Sequence, residues 1–152
     1  MPDDTGGPHL NAALICEKVL RKVDGVVSAV RIVDRFTTNV QAVGMELPGL
    51  PGQRRVSFTM LLHFRSGNAR GSYMLKLELE RPDGIRRLFM QQAIYFGGGD
   101  ERGPVIALAV DFDYDADGLY WFRVILEERF VTQIPLRLLT SLQQLPLPGP
   151  PL

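Results

Sequence analysis

The sequence predicts an all-β protein: a single antiparallel β-sandwich, immunoglobulin-like or C2-like, of about eight strands. Three observations carry this expectation. Apolar residues recur at every second position in several segments, the period of a pleated strand. Gly, Pro and Asp gather between those segments as turn chemistry. No long helical pattern interrupts the series, which argues against an α/β fold. The 152 residues suit one domain that can bury a real core. The expected organisation is a flexible lead-in at 1–9, a sandwich at 10–142 and a Pro-rich tail at 143–152.

Residues 11–23 support two readings. Ala12, Cys16 and Leu20, with Ile15, Val19 and Val23, fall at helical spacing. Ala13, Ile15, Glu17, Val19 and Arg21 alternate as a strand. Asp24-Gly25 favours a tight turn, since Gly accepts positive φ at little cost. The β-branched run at 26–33 then reads as a strand, so a hairpin through Asp24-Gly25 is preferred. Residues 37–55 hold two Pro and three Gly and read as a loop. Val56, Phe58, Met60, Leu62 and Phe64 alternate with Ser57, Thr59, Leu61, His63 and Arg65, which predicts a strand. Residues 66–71 read as a turn, with Tyr73, Leu75, Leu77 and Leu79 marking a hairpin partner. Arg81-Pro82-Asp83-Gly84 is a second turn. Residues 88–96 form a weaker strand pattern that runs into Gly97-Gly98-Gly99. Ile106, Leu108, Val110 and Phe112 mark the next strand.

The closing hairpin has the cleanest pattern. Tyr120, Phe122, Val124 and Leu126, then Phe130, Thr132, Ile134, Leu136 and Leu138, would line one covered face. Trp121 and Ile125 fall on the opposite parity. Large apolar groups on an outer face mark partner contacts, so these two are the expected partner-binding residues. The tail, residues 145–152, is too rich in Pro to extend a strand. It contains Pro148-x-x-Pro151, a minimal PxxP pattern.

Lys+Arg and Asp+Glu both number 17, and nothing announces the basic footprint of nucleic-acid binding. No run approaches the roughly eighteen apolar residues of a membrane span, and the acidic N-terminus lacks signal-peptide features. The single cysteine, Cys16, excludes an intramolecular disulfide and fits a reducing cytoplasm. It reads as a small buried apolar residue. His63 reads as a surface histidine. Gly97 to Gly103 is acidic and feeds Pro104 and a strand, unlike a phosphate loop feeding a helix.

Asp111, Asp113, Asp115 and Asp117, closed by Gly118, form the one candidate metal site. Alternating carboxylates suit a hard cation such as calcium. From Asp113 the run fits the first half of an EF-hand loop, but the twelfth position is Val124 where Glu is required. A sandwich gathers calcium in Asp-rich end loops, as C2 domains do. The competing reading is a solvated acidic edge entering an Asp-Gly turn.

Residues Leu14-Ile-Cys-Glu-Lys-Val19, Asp24-Gly-Val-Val-Ser28 and Arg31-Ile-Val-Asp-Arg-Phe36, with Gly118-Leu-Tyr-Trp-Phe-Arg-Val124 and Ile134-Pro-Leu136, carry a resemblance. Together they resemble a family of uncharacterised bacterial proteins known as a domain of unknown function. The resemblance implies an all-β sandwich and no definite function, and it carries over no catalytic residues. Glu128-Arg129 stands at the closing turn in place of the Asn-Gly or Asp-Gly common there. The expected function is therefore a soluble, non-enzymatic module that binds a protein partner or itself, with no cofactor. A calcium-dependent C2-like module is the alternative, and an enzyme with a carboxylate site a third.

Overall fold

The computed structural model describes residues 6–42, 54–99 and 103–144. These contain no helix and nine strands. They are β1 (His9–Arg21), β2 (Val27–Ile32), β3 (Arg35–Ala42), β4 (Arg54–Arg65), β5 (Gly67–Glu80), β6 (Arg86–Gly99), β7 (Val105–Tyr114), β8 (Gly118–Leu126) and β9 (Arg129–Gln144). Two sheets result, ordered β2-β1-β4-β7 and β3-β9-β8-β5-β6. The expected all-β class holds. About eight strands are expected and nine form among the described residues, while the expected uniform antiparallel pairing does not hold. The addition is β3, which lies parallel to β9 from Arg35↔Arg137 to Ala42↔Gln144. Residues 37–42 therefore extend a sheet where a loop was expected. Half-buried Phe36 and Thr38 alternate with exposed Arg35, Thr37 and Asn39. That short period is masked in the sequence by the Pro- and Gly-rich residues after it. Residues 43–53, the rest of the expected loop, lie outside the described residues, as do 1–5, 100–102 and the tail at 145–152.

The hairpin expected at Asp24-Gly25 forms, and the turn expected at Arg81–Gly84 closes a second one. Residues 11–23 are strand rather than helix, and β1 pairs with β2 around Gly25, whose φ is 83°. Asp24 Oδ1 accepts from Val26 N at 3.0 Å, the local bond that makes Asp a turn residue. Asp83 does the same for Ile85 N between β5 and β6. The hairpin expected between residues 56–64 and 73–79 does not form. β4 pairs with β1 and β7, whereas β5 pairs with β6 and β8. At Ser66-Gly67 the chain crosses from one sheet to the other. Gly67 has φ 55° and packs against the backbone of Gly6 and Gly7, where a Cβ would collide. Asn68 N donates to Gly6 O, so residues 6–9 of the expected lead-in are fixed to the fold, and His9 already begins β1.

The core lies between the two sheets. β4 contributes Val56, Phe58, Met60, Leu62 and Phe64, and β7 contributes Val110, Phe112 and Tyr114. Facing them are Leu75, Leu77 and Leu79 of β5, Tyr120, Phe122, Val124 and Leu126 of β8, and Ile134, Leu136 and Leu138 of β9. Phe122 is fully buried, with its ring 5.7 Å from Phe58, 5.7 Å from Phe89 and 5.9 Å from Phe112. All three contacts are edge-on, the geometry aromatic quadrupoles favour.

The four-stranded sheet curls. β1 pairs with β4 only as far as Cys16↔Thr59, and its remainder pairs with β2. Arg21 Nη2 nevertheless reaches Val105 O on β7, the opposite edge strand, at 3.3 Å. On the face turned away from the main core, Cys16 and Leu61 are also buried. Cys16 is thus the small buried residue expected, and burial pushes its thiol pKa up.

The β8–β9 turn consists of Glu127 and Glu128, with φ of 47° and 63°. Leu126 pairs with Arg129, so the turn sits one residue earlier than Glu128-Arg129. Two successive positive-φ residues make the tight primed turn that matches strand twist, with Glu standing where Asn-Gly is favoured. Anchoring offsets the strain: Met74 N donates to Glu127 Oε1 at 2.6 Å, and Lys76 Nζ to Glu128 Oε1 at 2.5 Å. A bulge follows, with Val124↔Thr132 and Ile125↔Phe130, leaving Val131 as the extra residue. Phe130 is thereby moved to the outer face, 52% exposed, contrary to its expected place on the covered face. Val131 takes its place against the core.

Two stability measurements check these assignments. Phe122→Ala should cost about 3–5 kcal/mol in urea unfolding, the range for a buried Phe whose site cannot collapse. Glu128→Gly should raise stability by about 0.5–1 kcal/mol. It removes a left-handed backbone penalty of about 1–2 kcal/mol and loses only an exposed ion pair.

Candidate interaction surface

Side chains on the outer face of the five-stranded sheet follow from register. Trp121 lies between Pro135 of β9 and Glu80 of β5. Arg123 lies between Gln133 and Glu78, and Ile125 between Phe130 and Lys76. Trp121 and Ile125 therefore share the outer face, as their parity predicts, and both are half-buried. Arg123 separates them along β8. Its guanidinium carbon sits 4.6 Å from the Phe130 ring centre, and its Nε is 3.4 Å from Glu78 Oε2. A cation against an aromatic face is attracted by the ring quadrupole. Trp121, Arg123, Ile125 and Phe130 thus make one patch of two aromatics, an aliphatic and an arginine. Sequence alternation finds Trp121 and Ile125. It misses Phe130, because a bulge leaves no mark in a two-residue period.

Phe130 also borders a cleft of about 330 Å³ lined by Pro8, His9, Tyr73, Glu127 and Arg129 among others. The cleft opens at the β8–β9 turn, and its volume suits one inserted side chain or small ligand.

The four aspartates do not assemble. Asp111 and Asp113 lie on the exposed face of β7, with Phe112 and Tyr114 turned into the core. Asp111 Oδ1 is 2.7 Å from Arg55 Nε and accepts from Ser57 Oγ at 3.1 Å. Asp113 is 3.5 Å from the same guanidinium. Asp115 instead pairs with Arg81 at 2.9 Å. Asp117 accepts from Thr140 N at 2.8 Å and Thr140 Oγ1 at 2.7 Å, and lies 3.2 Å from Arg54. Among the described residues no group of three or more His, Cys, Asp or Glu is placed to hold a metal ion. Each carboxylate has an arginine partner, which serves the charge that calcium would otherwise serve.

One of these pairs ties the sheets together. The Arg54 side chain is buried, packs 5.1 Å over the Tyr114 ring and reaches Asp117 in the turn before β8. Tyr114 OH and Thr38 Oγ1 lie 2.8 Å apart, joining β7 to β3. His63, on the outer face of β4, is half-buried and 3.1 Å from Asn11 Nδ2, away from the aspartates.

No family model and no curated protein matches this chain. Among the described residues no helix is long and apolar enough to cross a membrane.

The Arg55 hydrogen bond, and then that of Ser57, holds the Asp111 carboxyl below the ordinary value of 3.8. A carboxylate whose folded pKa is depressed stabilises the fold above its unfolded pKa and loses that effect as pH falls. Asp111→Asn should therefore narrow its stability gap from the wild type as an acid titration passes below pH 3.8, read by thermal melts.

Proposed function

We propose that this chain is a non-enzymatic β-sandwich module, working in the cytoplasm, that binds a protein partner through the outer face of its five-stranded sheet. The carrying observation is the patch of Trp121, Arg123, Ile125 and Phe130 on an open sheet face. Trp and Arg dominate the binding energy of protein interfaces, and aromatic residues are enriched at their centres. The surrounding charges are already paired within the sheet: Glu80 with Arg86 at 2.6 Å, Glu78 with Arg123, and Lys76 with Glu128. Pairing leaves a polar rim that needs no charge from the partner and lowers the cost of covering the apolar centre. The cleft beside Phe130 lies on the core side of β8 and β9, where Leu126 and Val131 line it, and meets this patch at Phe130.

A photo-crosslinking residue at Ile125 tests the proposal in cells. It should give a discrete protein adduct that the same residue at Asp113, on the other sheet, does not give. Trp121→Ala should weaken binding by about 2 kcal/mol or more, roughly thirtyfold or greater, as loss of an interface tryptophan does. Adducts indifferent to Trp121→Ala would overturn the reading. Calcium should change neither the adduct nor the melting temperature. A calcium-dependent rise in either would move the site to Asp111, Asp113, Asp115 and Asp117.

A further inference from the structure

Each sheet has two edge strands, and they differ in how they are guarded. Open edges present unpaired backbone donors and acceptors, and natural proteins blunt them with charges, proline or short length. β7 carries Asp111 and Asp113 on its exposed face. β2 has only six residues, with Arg31 at φ 55° inside it. β3 is short, with eight residues. β6 has fourteen; it begins with Arg86 and Arg87, but the nine residues from Leu88 to Phe96 contain no charged residue and no proline. Among the described residues β5 is its one sheet neighbour. Leu88 and Tyr95 stand on its outer face, 55% and 70% exposed. Two large apolar side chains so exposed on an unguarded edge are the features that protein edges normally avoid.

The spacing of these two residues is self-complementary. β6 has a bulge at Phe89, because Leu77 pairs with Met90 while Glu78 pairs with Leu88. Counting Phe89 as the extra residue, Leu88 and Tyr95 lie at equal distances on either side of Gln92 along the strand. An antiparallel copy related by a two-fold axis at Gln92 therefore sets Leu88 directly across from the partner's Tyr95, and Tyr95 across from the partner's Leu88. On the inner face the same axis sets Met90 across from the partner's Ile94. Aromatic–aliphatic cross-strand pairs of this kind are favourable. Charge does not oppose the pairing. Arg86 falls across from the partner's Gly97, far from its own copy, and the formal net charge of the chain is zero.

We infer that the free edge of β6 pairs antiparallel with β6 of a second copy about Gln92, joining two five-stranded sheets into one of ten strands. A two-fold interface of this type is closed, so it gives a dimer and not a filament. The pairing uses the backbone edge of β6, two strands from the β8 that carries Trp121, and it stands whether or not the outer face binds another protein.

Sedimentation velocity and crosslinking of the full chain test it. The wild type should sediment as a dimer of the 17.0 kDa chain at micromolar concentration. Leu88→Lys and Tyr95→Lys, both at exposed positions that leave the core intact, should each raise the dimer dissociation constant about tenfold or more. Trp121→Ala should leave it unchanged. Ala93→Cys should link to its own copy with a short bis-maleimide, since diagonal neighbours across a strand pair lie about 7–8 Å apart. Arg86→Cys should not, because its copy would lie roughly 30 Å away at strand rise. Cys16 is buried and stays out of the reaction. A monomer at all concentrations would overturn the inference. So would a dimer that survives both lysine variants, or one broken by Trp121→Ala alone, which would move self-association to the outer face.

Discussion

The two sheets are held in register by one ring. Phe122 stands at the centre of β8 with its edge or face against Phe58 and Phe112 of the opposite sheet and Phe89 of its own. Sheets that pack face to face depend on side chains interdigitating from both inner faces, and a large ring in the middle fixes how far apart they stand. The same packing explains the bulge at Phe89. An extra residue in β6 bends that strand so that a second phenylalanine turns inward beside Phe122. The ends of the interface are closed differently, by a buried arginine over Tyr114 and by the Tyr114–Thr38 contact. A rigid aromatic middle with a polar clasp at one end leaves the outer faces free to carry other functions.

Bulges recur wherever the outer surface departs from simple alternation. At Val131 one extra residue sends Phe130 outward beside Arg123 and brings Val131 inward. At Phe89 another leaves Leu88 on the outer face. Both of these exposed apolar residues therefore owe their position to an insertion in the strand rather than to a change of residue type. A β-bulge re-aims every side chain beyond it, so a single residue is enough to build a surface.

Much of the fold was legible in the sequence, for a physical reason. Where one strand face is covered and the other is wet, hydrophobicity must alternate, as it does through Val56 to Phe64 and Tyr120 to Leu126. Asp24-Gly25 and Asp83-Gly84 were legible because positive φ and an Asp side-chain acceptor are local requirements. What was not legible is non-local. The sheet to which a strand belongs depends on partners far along the chain, so β4 and β5 read as a hairpin although they separate at Ser66-Gly67. Residues 37–42 of β3 read as loop because the partner strand is β9, about a hundred residues away and parallel. The placement of Trp121 and Ile125 followed from parity alone. The dispersal of the four aspartates did not, since it depends on Arg54, Arg55 and Arg81 arriving from other strands.

The pairing of β3 with β9 joins residues 35–42 to residues 137–144. Every order of assembly must close that long loop, and the entropy of closure is spent before the parallel ladder returns anything. On the ribosome this has a direct consequence. Among the described residues β9 is the one sheet neighbour of β3, so β3 has no strand to pair with until residues 137–144 have emerged. β3 must therefore wait exposed while about a hundred further residues are added, a period in which assistance by a chaperone has the greatest effect on yield.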